Sequence, residues 1–101
     1  MKGWIGVDFD GTLAVWIANG SVLGPPIPYM VARVKMWLAK GYDVRIFTSR
    51  VSIKDKEKLA DNTAALEAWS EEHIGKVLPC TCVKDFNCVA YYDDKAIRVI
   101  K

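Results

Sequence analysis

Trp4-Ile5-Gly6-Val7-Asp8-Phe9-Asp10-Gly11-Thr12-Leu13 is the stretch that decides the fold. It is short and almost wholly apolar until Asp8, the pattern of a strand buried on both faces, and Gly11 ends it. Downstream, Leu13 to Gly24 combines a β-like run with Asn19-Gly20, a dipeptide that tolerates positive φ and predicts a β-hairpin over about 13–24. Pro25, Pro26 and Pro28 then punctuate the entry to a helix over about Tyr29 to Lys40. Met30, Val34, Trp37 and Leu38 share one face of that helix, and Gly41 stops it. Asp43 to Thr48 predicts a second strand, followed by a long helix from about Lys54 to His73. Leu59, Leu66 and Trp69 line its apolar face, with Ala60, Ala64, Ala65 and Ala68 permitting close packing. Pro79 precedes a short strand over Cys80 to Val83; Cys88 to Tyr92 forms a clearer one, and Ala96 to Ile100 could add an edge strand. Strands alternating with helices imply an α/β domain, with a mostly parallel sheet covered on both faces.

The chain's 101 residues suit one domain spanning 1–101, without linker, repeat or low-complexity stretch. Hydrophobic residues at 51% and charged residues at 26% exclude disorder. No apolar run approaches the roughly 20 residues that span a bilayer. The opening Met1-Lys2-Gly3-Trp4 lacks a leader layout, so the expected location is cytoplasmic. Fourteen basic and 12 acidic side chains leave a net charge of +2, too little to argue for nucleic-acid binding by itself. Lys54, Lys56 and Lys58 alternate with Asp55 and Glu57, as on a solvated helix start. Cys80, Cys82 and Cys88 are an odd set for disulfides, and Cys80-Thr81-Cys82 lacks the spacing of a zinc knuckle. They and His73 are read as structural.

Three of these strands end in polar groups: Asp8 and Asp10, Thr48, and Asp93 with Asp94. Ligands of an open parallel sheet bind outside the carboxyl ends of its strands, so these groups gather in one crevice. Clustered carboxylates repel unless a cation neutralises them, and oxygen-only ligands favour a hard ion such as Mg²⁺. An acidic Mg²⁺ site beside a hydroxyl and a lysine suits an anionic substrate, and the expected one is a phosphate.

Asp8-Phe9-Asp10-Gly11-Thr12 resembles the DxDGT motif of the haloacid dehalogenase-like (HAD) hydrolase superfamily. Ile46-Phe47-Thr48-Ser49 is similar to the second motif of that family, Lys84 to the third, and Asp93-Asp94 to the fourth, over nearly the whole chain. The resemblance implies a Rossmann-like core and a Mg²⁺-dependent phosphatase in which Asp8 forms an aspartyl-phosphate. It also implies Asp10 as acid and then base, and Thr48 and Lys84 as holders of the phosphoryl group. Gly11 would leave backbone N–H groups free for phosphate oxygens, and Ser49 joins the substrate-binding set by position. The metal would sit on Asp8, the backbone carbonyl of Asp10, and Asp93, supported by Asp94. Lys54 or Lys56 could take the place of Lys84, and Arg50 is read as structural.

Members of this family commonly carry a cap domain. Neither the segment after Asp10 nor that between Thr48 and Lys84 is long enough for one, as in small capless, phage-like members. The remaining alternatives are a phosphotransferase and a catalytically weak module that binds metal or phosphate. With only the 13–24 hairpin to cover the crevice, either a large phosphorylated substrate (a protein side chain or a nucleic-acid end) or a second subunit is expected to close it, leaving monomer and homo-oligomer both open. An exposed tryptophan on that hairpin could serve as an interface or a base-stacking platform.

Overall fold

Four strands, β1 (Trp4–Asp8), β2 (Asp43–Phe47), β3 (Cys80–Thr81) and β4 (Cys88–Tyr92), and two α-helices, α1 (Pro28–Ala39) and α2 (Lys56–Ile74), form the regular structure of the computed structural model. It describes residues 3–20, 22–97 and 99. The sheet is parallel throughout, in the order β3-β2-β1-β4. From β1 the chain steps outward through β2 to β3, then returns to place β4 on the other side of β1. Strand order along the sheet therefore reverses between β1 and β4, where an open α/β sheet binds its ligands.

Pleating divides β1 into two sets of side chains. Ile5 and Val7 join Phe9, Val44 and Ile46 in one core with Met30, Val31, Val34 and Trp37 of α1 and Leu66, Trp69 and Ile74 of α2. Both helices therefore cover the same face, as successive right-handed crossovers in one direction require. Phe9 meets Trp69 edge-to-face at 4.8 Å; cutting Phe9 back to Ala would cost about 3–5 kcal/mol. Pro28 starts α1. The Asp55 carboxylate caps α2 by accepting from the N–H groups of Glu57 and Lys58, and Gly75 closes it in the left-handed conformation.

The opposite face departs from the sequence expectation. No helix covers it among the described residues. Instead, the segment joining β3 to β4 folds across it: Trp4 Nε1 donates to Asp85 at 2.8 Å, and the Lys84 ammonium lies 3.9 Å from the centre of the Tyr91 ring. The Arg45 guanidinium caps Trp4 from 4.7 Å. Gly6 makes this layer possible, because a Cβ there would press on Trp4 and Tyr91 at 3.1 and 3.2 Å. Cationic stems over rings take the place of a second helical layer.

Three smaller expectations also change. Ala60, Ala64, Ala65 and Ala68 are exposed, so they support α2 by helix propensity and not by close packing. The described residues of the 13–24 segment form no strand pair. Its base is tied by Val15 N–H to Pro25 O (2.8 Å) and Ile27 N–H to Leu13 O (2.9 Å), with single bridges at Ala14 and a 3₁₀ turn over Ala18–Gly20. Pro25 and Pro26 have no N–H with which to extend a ladder. Gly20 does adopt the positive φ expected of an Asn-Gly turn. Of the proposed edge strand over Ala96 to Ile100, Ala96, Ile97 and Val99 lie in no strand, and Arg98 and Ile100 lie outside the described residues. No described helix is long and apolar enough to cross a membrane.

Candidate active site

At the carboxyl ends of β1, β2 and β4 lies a cavity of about 660 Å³ lined by Asp8, Asp10, Thr48, Ser49, Asp93, Asp94 and Lys95, with Trp16, Phe47 and Tyr91 as its aromatic wall. The six acids and hydroxyls singled out in the sequence, Asp8, Asp10, Thr48, Ser49, Asp93 and Asp94, thus meet in one place because the strands bearing them are neighbours. The sharp turn after β1 is built by the backbone. Phe9 O accepts from Leu13 and Ala14 N–H, and Gly11 N–H donates to Ala14 O at 2.8 Å. The Gly11 amide is therefore used inside the turn and does not face the cavity as a phosphate donor. Glycine is required there for another reason: its φ is +85°, and a Cβ would collide with the Asp94 carboxylate.

Asp8, Asp93 and Asp94 each present a carboxylate oxygen within 4.8 Å of the others. No basic side chain is ion-paired with them among the described residues. Burial, then the charges of Asp93 and Asp94, push the Asp8 carboxyl up from 3.8 to about 7. Thr12 Oγ1 points at Asp8 from 3.4 Å, a long and weak contact. Three oxygen donors with unneutralised charge fit a hard divalent cation, and they are the one such group among the described residues. The cysteines and His73 form no comparable group. The three thiols are free and half-buried, and the His73 ring lies tilted against Trp69, 4.7 Å between centres.

Asp10 has the opposite environment. Arg50 donates to both of its oxygens, Nε to Oδ2 at 2.7 Å and Nη2 to Oδ1 at 2.8 Å. The same guanidinium reaches the carbonyls of Gly20 (3.0 Å) and, at the limit of a hydrogen bond, Val22 (3.5 Å). Asn62 of α2 holds the Arg50 carbonyl at 2.9 Å. Hydrogen bonds to Asp10 raise the guanidinium pKa still further. Arg50 thus links an acid of the site to the loop beside it, a role that sequence reading missed. The available signal was its position two residues past Thr48, at the same sheet end as Asp10.

Thr48 is buried, and its Oγ1 accepts from Arg50 N–H at 3.2 Å, capping the 3₁₀ turn over Ser49–Val51. That bond uses a lone pair and leaves its own hydrogen to donate. Ser49, exposed, lines the cavity beside it. Lys84 does not line the cavity; its ammonium rests on Tyr91 and lies 5.4 Å from the centre of Phe47, behind the aromatic wall. Lys54 and Lys56 do not line it either. Lys95, which follows Asp94, does, and was not foreseen.

Comparison of the chain with protein-family models, curated proteins and solved structures finds no match.

Proposed function

We propose that the protein is a HAD-like, Mg²⁺-dependent phosphatase that hydrolyses phosphomonoesters through an aspartyl-phosphate on Asp8. The observation that carries this is the convergence of Asp8, Asp93 and Asp94, within 4.8 Å and without an ion-paired base among the described residues, in the same open cavity as Asp10 and Thr48. Asp8, Asp93 and Asp94 would hold the ion, which would neutralise their charge and polarise the phosphoryl oxygens.

An Asp8 oxygen attacks phosphorus, the ester P–O bond breaks, and Asp10 gives its proton to the departing alkoxide. Asp10, now a base, takes a proton from water. The resulting hydroxide attacks the phosphorus, the bond to Asp8 breaks, and inorganic phosphate leaves. The Thr48 hydroxyl and a lysine bind the equatorial oxygens, where charge spreads in the transition state. Lys95 lines the cavity, whereas Lys84 must swing off Tyr91 to take part. Asp10 must likewise leave Arg50 to reach a leaving group.

That last requirement favours a second reading, a weakly catalytic module that holds metal and phosphate while Arg50 keeps Asp10 engaged. A phosphotransferase would differ only in the acceptor that replaces water. Inorganic phosphate release from p-nitrophenyl phosphate, with Mg²⁺ and with EDTA, separates enzyme from binder. Metal-dependent release supports the enzyme; phosphate binding without release supports the module.

A further inference from the structure

The acidic end of the cavity accounts for a phosphoryl group and a cation, but not for the wall beside it. Phe47 and Tyr91 meet edge-to-face at 4.9 Å on the face of the sheet that lacks helices, and their exposed edges line the same cavity as Asp8. Covered by a second helical layer, these rings would be core; here they are half-buried and line the cavity. The Lys84 ammonium, seated on Tyr91, fixes that ring from the loop side. Trp16 comes to the cavity from the 13–27 loop, is 58% exposed, and makes no side-chain hydrogen bond among the described residues. Three aromatic side chains lining the same cavity as the acids can stack a flat group but offer little to sugar hydroxyls. At about 660 Å³, the cavity is large enough for a small ligand with a ring system.

We infer that the leaving group of the substrate carries a planar aromatic base: the substrate is a nucleoside monophosphate or the phosphorylated end of a nucleic acid, with its base stacked on Trp16 against the Phe47–Tyr91 wall. This inference rests on the phosphomonoesterase proposed above. Base–aromatic stacking is tolerant of base identity, so purine and pyrimidine esters both serve.

Ribose 5-phosphate and nucleoside 5′-monophosphates make the test, because they share the phosphate ester and the sugar and differ in the base. Phosphate release in Mg²⁺ should give a kcat/KM at least about tenfold higher for the nucleotides, chiefly through KM. Trp16→Ala should collapse that ratio towards one, and Trp16→Phe should retain most of it. A 5′-phosphorylated oligonucleotide in the same assay distinguishes a nucleic-acid end from a free nucleotide. Ribose 5-phosphate equal to or better than the nucleotides, or a ratio unchanged in Trp16→Ala, overturns the inference. Calorimetric binding to Asp8→Asn protein keeps the two proposals separable. Preference for nucleotide over ribose 5-phosphate there, without turnover by the unmodified protein, would sink the phosphatase and retain the base site; equal binding would sink the base site.

Discussion

Asp8 and Asp10 lie two residues apart at the end of one strand and meet opposite surroundings. Asp8 faces two more carboxylates and, among the described residues, has no ion-paired base, while both oxygens of Asp10 are held by Arg50. The difference comes from topology. β4 pairs with β1 on one side and delivers Asp93 and Asp94, while β2 pairs on the other and delivers Arg50 just beyond Thr48. One acid has no basic partner among the described residues; the other has Arg50 and is tied through it to the loop at Gly20. Neighbouring residues in sequence therefore divide into a member of a carboxylate cluster and a restrained acid.

The largest effect should follow Asp8→Asn. The amide is a poor nucleophile, so phosphate release should fall by at least about a thousandfold while the circular-dichroism spectrum is unchanged. Removing the metal should act next. Saturating Mg²⁺ should raise the melting temperature by about 5–10 °C through binding to the native state alone, and Asp93→Ala should abolish that rise. A melting curve indifferent to millimolar Mg²⁺ would erase the contrast between the two acids.

Arg50→Gln tests the other side. It leaves a half-buried carboxylate without its ion pair and loosens the loop at Gly20, with an expected loss of about 1–3 kcal/mol in urea unfolding. Faster hydrogen exchange over 15–24 should accompany it. Unchanged exchange would show that Arg50 does not restrain the loop.

The smallest effect is a pH dependence of the metal-free protein. The Asp8 pKa is raised on folding, so between about pH 4 and 7 the native state binds more protons than the unfolded chain. This protonation-linked stabilisation is complete below about pH 4 and is lost as pH rises through about 7. Considering Asp8 alone, the metal-free melting temperature should be higher at pH 5 than at pH 8. Asp8→Asn should flatten that slope, and Mg²⁺ should reduce it. A slope that persists in Asp8→Asn would assign it to other groups.

Much of this site was legible because strand ends announce themselves. Asp8, Thr48, Asp93 and Asp94 each follow an apolar run, and a parallel sheet brings such ends together whatever its loops do. What side chains do across the fold was not legible. Arg50 reaches Asp10 over 40 positions, through a loop placed by tertiary packing. The apolar run of β1 correctly implied burial on both faces, but burial beneath Lys84, Arg45 and a short connection looks in sequence like burial beneath a helix. Alternation alone could not say which alanines of α2 faced outward, since Ala suits either side of a helix. The use of the Gly11 N–H inside its own turn was likewise invisible, because it depends on where Ala14 comes to lie.

The central claim is that Asp8 accepts the phosphoryl group, and rapid acid quench during turnover followed by peptide mass spectrometry tests it most directly. In Mg²⁺ with excess p-nitrophenyl phosphate, the peptide bearing Asp8 should gain one acid-stable, hydroxylamine-sensitive phosphoryl group, fragmentation should place it on Asp8, and Asp8→Asn protein should gain none. Turnover with phosphate on another residue, or with no phosphopeptide at times short compared with one catalytic cycle, would contradict the account.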